Sequence, residues 1–142
     1  MTTPAMGPAA NVIVLDSWAL LAYLNEEPAA QQVRQVLRRA RRHEILALIS
    51  IMNFGECLYT LERRVGREHT LEVAGHIDQL PIEVVLADRK LVFEAAHLKA
   101  NYPVSYADAF AAALAMRHRA RLMTGDPEFK ALEKEVAIHW LR

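Results

Sequence analysis

The sequence predicts an α/β domain, a three-layer α/β/α sandwich with a mainly parallel central sheet of four to five strands. Three observations predict it. Short apolar runs with β-branched residues recur along the chain. Segments with apolar residues at helical spacing separate them, the pattern of parallel strands joined by crossover helices. No repeat, low-complexity stretch or linker divides the 142 residues, and 53% hydrophobic against 24% charged residues suffices for one buried core.

The elements follow in order. Residues 1–10 read as a flexible tail and residues 11–142 as a single domain. Asn11 to Leu15, bounded by Asp16-Ser17, reads as a buried strand, and Ser17 to Asn25 as a short helix. Pro28 starts a longer helix through Arg42, with Val33, Val36 and Leu37 inside and Arg34, Arg38, Arg41 and Arg42 outside. Ile45 to Ile49 is a second buried strand, after which Ser50 caps a helix running to Val65. Thr70 to Gln79 reads as helix, and Pro81 introduces a third strand, Ile82 to Leu86. Asp88 to Asn101 is helical, with Leu91, Val92, Ala95 and Leu98 on one face. Pro103 breaks it, and Ser105 to His118 forms an Ala-rich helix. A fourth strand, Arg121 to Met123, a helical piece, Phe129 to Leu132, and a last strand, Val136 to Trp140, complete the chain.

Lys+Arg and Asp+Glu number 17 each, for zero net charge. That disfavours a non-catalytic nucleic-acid-binding module, which commonly carries a basic excess, more than it disfavours a nuclease whose acidic centre offsets a basic rim. Cys57 is the only cysteine, which excludes an intrachain disulfide or a cysteine-based zinc site, and its apolar neighbours mark it as a small core residue. The first ten residues have neither the basic region nor the apolar stretch of a signal peptide, and no run approaches the ~18 apolar residues of a membrane span. The expectation is a cytoplasmic protein with no membrane association.

Four acids stand on otherwise apolar segments. Asp16 closes the run Val12-Ile13-Val14-Leu15, and Glu56 lies between Phe54-Gly55 and Cys57-Leu58. Asp108 stands in Ser105-Tyr106-Ala107-Asp108-Ala109-Phe110, and Asp126 in Leu122-Met123-Thr124-Gly125-Asp126-Pro127. Such acids are costly unless paired, hydrogen-bonded or neutralised by a cation. In a parallel sheet every strand-to-helix loop opens on the carboxyl edge, where sites form. Asp16 and Asp126 follow strands directly, and Asp108 sits in the first turn of its helix. Glu56 stands roughly 9 Å beyond Ser50 at ~1.5 Å per residue, with the longer side chain needed to reach back. A shared acidic pocket is expected. Its carboxylates repel unless a cation joins them, and their hard oxygens select Mg²⁺ or Mn²⁺. Such an ion can activate water and stabilise in-line phosphodiester cleavage. Each acid also has a plainer reading. Asp16 and Asp126 could be helix N-caps, Ser105-x-x-Asp108 is a capping box, and Glu56 could pair with Arg63 or Arg64.

These motifs resemble those of the PIN-domain nucleases, and most closely the VapC toxins of type II toxin–antitoxin pairs. Val14-Leu15-Asp16-Ser17 is similar to the family's first metal-binding acid, and Ser50-Ile51-Met52-Asn53-Phe54-Gly55-Glu56 to its second motif. The run from Ser105 through Asp108 to Ala113 resembles the third, and Thr124-Gly125-Asp126-Pro127-Glu128-Phe129 the fourth. Order and spacing agree over about residues 11–142. The resemblance implies a Mg²⁺- or Mn²⁺-dependent endoribonuclease acting on RNA, inhibited by a cognate antitoxin protein and assembled as a homodimer. Asp16, Glu56, Asp108 and Asp126 would be its catalytic and metal-binding residues, with Asp126 acting directly or through water. Ser17 and Thr124 would support the site or touch substrate; their alternative is capping and turn formation.

The arginines Arg34, Arg38, Arg39, Arg41 and Arg42 form either a solvated face or a phosphate-contacting rim, a question that Arg117, Arg119 and Arg121 also raise. Trp18, Leu21 and Tyr23 are core or part of a groove for a partner helix. Three rivals stand beside the nuclease: a PIN-like scaffold that binds RNA or protein without cleaving, a phospho-receiver module built on Asp88, and an aspartate-nucleophile phosphatase, which would want an acid where Trp18 stands. The receiver lacks a second acid beside Asp16 and a Lys after its last strand, and Asp88 reads more simply as a helix N-cap.

Overall fold

The computed structural model describes residues 11–142, and the segment read as a tail, residues 1–10, lies outside the described residues. Among the described residues five strands form one sheet: β1 (Val12–Leu15), β2 (Leu46–Ser50), β3 (Glu83–Val85), β4 (Arg121–Thr124) and β5 (Ile138–Trp140). They are connected by α1 (Ser17–Leu24), α2 (Ala30–Arg41), α3 (Ile51–Val65), α4 (Arg67–Asp78), α5 (Arg89–Asn101), α6 (Tyr106–His118) and a 3₁₀ helix (Pro127–Leu132). The strand order is β3-β2-β1-β4-β5, and every pair is parallel.

Alternation along the strands builds the three layers. Ile13 and Leu15 of β1, with Ala47 and Met123, pack under Ala19, Ala22, Val33 and Val36 of α1 and α2. Val14, Leu48 and Leu122 point the other way, against Leu91, Ala95, Phe110 and Leu114 of α5 and α6. Every residue of α6 from Asp108 to Ala115 is buried, because its alanines bring it close to both the sheet and α5.

Several boundaries depart from the sequence reading, and three of the departures have a plain local reason. Helix α2 begins at Ala30, because Pro28 and Ala29 form the turn that leads into it. Helix α4 begins at Arg67, since Gly66 takes φ 85° and lets the chain restart at once; Thr70, whose hydroxyl donates to the Gly66 carbonyl, lies inside its first turn. The edge strands β3 and β5 are three residues each, and Leu86, expected in β3, is 72% exposed. An edge strand has a neighbour on one side only, and short edges are how sheets avoid open pairing.

The topology fixes where a site can lie. From β1 the chain moves outward through β2 to β3, then crosses back to β4 on the other side of β1. The crevice outside the carboxyl ends of β1 and β4 is the switch point of this sheet, the usual place for ligands in open parallel sheets. No helix among the described residues is long and apolar enough to cross a membrane.

Candidate active site at the carboxyl edge of the sheet

Asp16 leaves β1 and caps α1, its Oδ1 accepting from the Ala19 N–H at 2.9 Å. Its Oδ2 accepts from the Thr124 hydroxyl at 2.5 Å, across the β1–β4 boundary. Thr124 Oγ1 in turn accepts from the Asp126 N–H at 3.0 Å, and Asp126 Oδ1 caps the 3₁₀ helix by accepting from the Glu128 N–H at 2.9 Å. Capping and clustering were alternatives for the sequence; here they are one geometry, because the caps fix the carboxylates where the strands end.

Helix α6 supplies Asp108 by a variation on the capping box. Ser105 Oγ accepts from the Asp108 N–H at 3.1 Å, as expected. The reciprocal bond, however, comes from another element: the Ser105 N–H donates to the Glu128 carboxylate. Glu128 thus ties the start of α6 to the loop after β4 and frees the Asp108 carboxylate for the pocket. Ligand oxygens of Asp108, Asp126 and Glu128 lie within 4.8 Å of one another.

Glu56, on α3, accepts from the Ser17 hydroxyl and, at 3.4 Å, from the Tyr59 hydroxyl. No salt bridge joins it to Arg63 or Arg64 among the described residues; Arg63 lies over the Tyr59 ring instead. Asp16 belongs to the field of this trio, since its charge acts on Asp108, and Glu56 is linked to it through Asp16. Burial pushes the Asp16 carboxyl up to about 7, with the Asp126 and Glu56 charges adding to it and the Thr124 and Ala19 hydrogen bonds holding it back. Burial likewise pushes Asp108 up to about 8, reinforced by Asp16, Glu128 and Asp126 and opposed by the Ser105 hydrogen bond. The charges acting most on both acids are all negative. Clustered carboxylate oxygens, short of positive charge, are the donor set of a hard divalent cation, so the residues present fit Mg²⁺ or Mn²⁺.

Trp18 and Gly125 complete the wall. A Cβ on Gly125 would lie 2.3–2.5 Å from three ring carbons of Trp18, so only glycine lets the indole rest on the turn between Thr124 and Asp126. Cys57 is buried, with its thiol toward the Ser17 carbonyl, and burial pushes that thiol far up, so it is no nucleophile. The sequence reading expected four acids on this edge, Asp16, Glu56, Asp108 and Asp126, and left out Glu128. Its signal was present: an acid two residues after Asp126, in the first turn of the same short helix.

Fold and edge together define the class, an open parallel α/β domain whose acids converge at the β1–β4 switch point. The chain belongs to the PIN domain family, whose model matches residues 13–135. Its fold is similar to that of DNA-bound VapBC from Salmonella typhimurium, at 18% identity and a TM-score of 0.71, over 91% of this chain and 97% of the other. VapBC2 from Rickettsia felis, bound to a DNA fragment from its promoter, gives 15% identity and a TM-score of 0.73 over 92% and 99%. Mycobacterium tuberculosis VapC20, a sarcin-ricin loop cleaving toxin, gives 19% and 0.66 over 84% and 93%. Comparison with curated proteins gives no match.

Proposed function

We propose that this chain is a divalent-metal-dependent endoribonuclease, the toxin of a toxin–antitoxin pair that acts in the cytoplasm. One observation carries the reading: Asp16, Glu56, Asp108, Asp126 and Glu128 converge on one sheet edge with no compensating positive charge among the groups that act most on Asp16 and Asp108. Family membership adds to it, since PIN domains are nucleases. Asp108, Asp126 and Glu128 would hold the ion, with Asp16 and Glu56 beside them to orient or receive a proton from the attacking water. When bound, Mg²⁺ or Mn²⁺ supplies a more acidic water and neutralises charge at the phosphate. Thr124 keeps the Asp16 carboxylate oriented toward the cluster, and Ser17 does the same for Glu56.

The same reading includes a homodimer and a cognate antitoxin. The groove of about 690 Å³ lined by Tyr23, Leu24, Val73 and Leu80 together with Arg34, Arg41 and Glu26 offers mixed apolar and charged contacts to a partner segment. The test is cleavage of a mixed cellular RNA pool by the purified chain, free of any partner, with Mg²⁺, Mn²⁺ or EDTA. The expected result is cleavage that needs the metal and falls about 10²-fold or more in Asp16→Asn. A folded chain that binds Mn²⁺ and cleaves nothing would be a silent scaffold, and one that binds no metal would sink the metal site as well.

A further inference from the structure

Asn53 lies one turn before Glu56 on α3 and is wholly buried, an unusual place for an amide. Residues three apart share a helix face, so Asn53 and Glu56 look the same way. Opposite stands the first turn of α6: the Asn53 side-chain NH₂ donates to the Ala107 carbonyl at 3.2 Å, one residue before Asp108. A carbonyl can only accept, so the amide nitrogen faces Ala107 and Oδ1 faces away from it. That oxygen is buried and has no hydrogen-bond donor among the described residues. Packing alone gives no reason for it, because an apolar side chain of similar size would fill the space without an unpaired acceptor.

We propose that Asn53 is a positioning residue of the acid cluster. Through Ala107 it ties the helix bearing Glu56 to the helix bearing Asp108, so that the acids on the two helices keep the spacing a bound divalent ion needs. The inference rests on the metal reading given above and adds to it a residue that is not itself an acid or a ligand. It makes the spacing between Glu56 and Asp108 depend on one amide.

Calorimetric titration of Mn²⁺ into the wild-type chain, Asn53→Leu and Asn53→Ala tests it, with Tm recorded with and without the ion. Both variants are expected to bind Mn²⁺ on the order of 10-fold more weakly or worse, the range that partners of metal ligands command. Their ion-induced rise in Tm shrinks accordingly. An unchanged Mn²⁺ Kd in a folded variant overturns the proposal, whatever its Tm. Should neither variant fold, the wild type decides by NMR. Its Asn53 side-chain NH₂ signals are expected to shift with added Mg²⁺ in step with the Asp108 amide, and signals that stay in place overturn the proposal. No Mn²⁺ binding by the wild type is a separate failure, since it removes the metal reading itself.

Discussion

Asp16 and Asp88 cap helices in the same manner, each accepting the backbone N–H three residues on, at 2.9 Å from Ala19 and 2.8 Å from Leu91. Asp88 stands at the surface and receives both terminal nitrogens of Arg117, at 2.9 and 3.1 Å. The Arg117 hydrogen bonds, helped by Leu91, hold its carboxyl below the usual range. Asp16 is buried, and burial, with the Asp126 and Glu56 charges adding to it, pushes its carboxyl up to about 7. The local motif is identical; what differs is first the burial, and then the charge, that the fold delivers to it. A cap carries chemistry when the topology surrounds it with like charge and leaves the balancing charge to something from outside.

Neutralising each aspartate tests this contrast most strongly. Asp108→Asn, like Asp16→Asn, is expected to lower RNA cleavage about 10²-fold or more, yet to raise the Tm of the ion-free chain at pH 8, because a repelling charge disappears. Asp88→Asn is expected to leave cleavage unchanged and to lower Tm slightly. Initial rates and calorimetric Tm values at one pH decide it, and a lower ion-free Tm for Asp108→Asn would contradict an uncompensated cluster.

The pH dependence separates the two regions next. Asp16 and Asp108 rise from 3.8 to about 7 and about 8 on folding, so the folded chain holds their protons more tightly. Their contribution to stability is full below pH 3.8 and is lost as pH climbs through 7 and 8. Asp88 has the opposite sign: its contribution is present above 3.8 and fades only as pH falls below that value. Ion-free stability is therefore expected to decline between about pH 4 and pH 8. Mn²⁺ affinity is expected to rise over the upper part of that range, with protons released on binding. Calorimetry in two buffers of different ionisation enthalpy counts those protons, and none released between about pH 6 and pH 8 would refute the raised values.

The smallest expected effect sharpens how the site is held. Gly125→Ala forces a methyl into the Trp18 ring and is expected to cost about 1–3 kcal/mol, most of it recovered when Trp18→Leu is added. Thermal unfolding of the single and double variants measures it. A single variant as stable as the wild type would show that the indole does not bear on this turn.

Much of this was legible in the residues. The parallel sheet follows from apolar runs without alternation, and the helix starts follow from Ser50, Asp88 and Ser105, each of which caps as its position suggests. The convergence of Asp16 and Asp126 follows from strand ends alone. Glu128 was not legible as a bridge, because its partner is a backbone N–H of Ser105, whose approach depends on how α6 docks beside the 3₁₀ helix. Nor was Asn53, which looks like any polar residue near a helix start until Ala107 is brought against it. Local pattern reveals which residues can take part, whereas packing between distant elements decides which atoms are left over.

One consequence of the strand order concerns time. The hydrogen bond from Thr124 to Asp16 spans 108 positions, and β1, made first, waits for a neighbour made near the end. Throughout the synthesis of that span the Asp16 carboxylate still lacks Thr124, Asp126 and Glu128. If the chain does cut RNA, it is harmless until residues more than a hundred positions after Asp16 have been made. Within that interval a waiting inhibitor has its best opportunity to seize it.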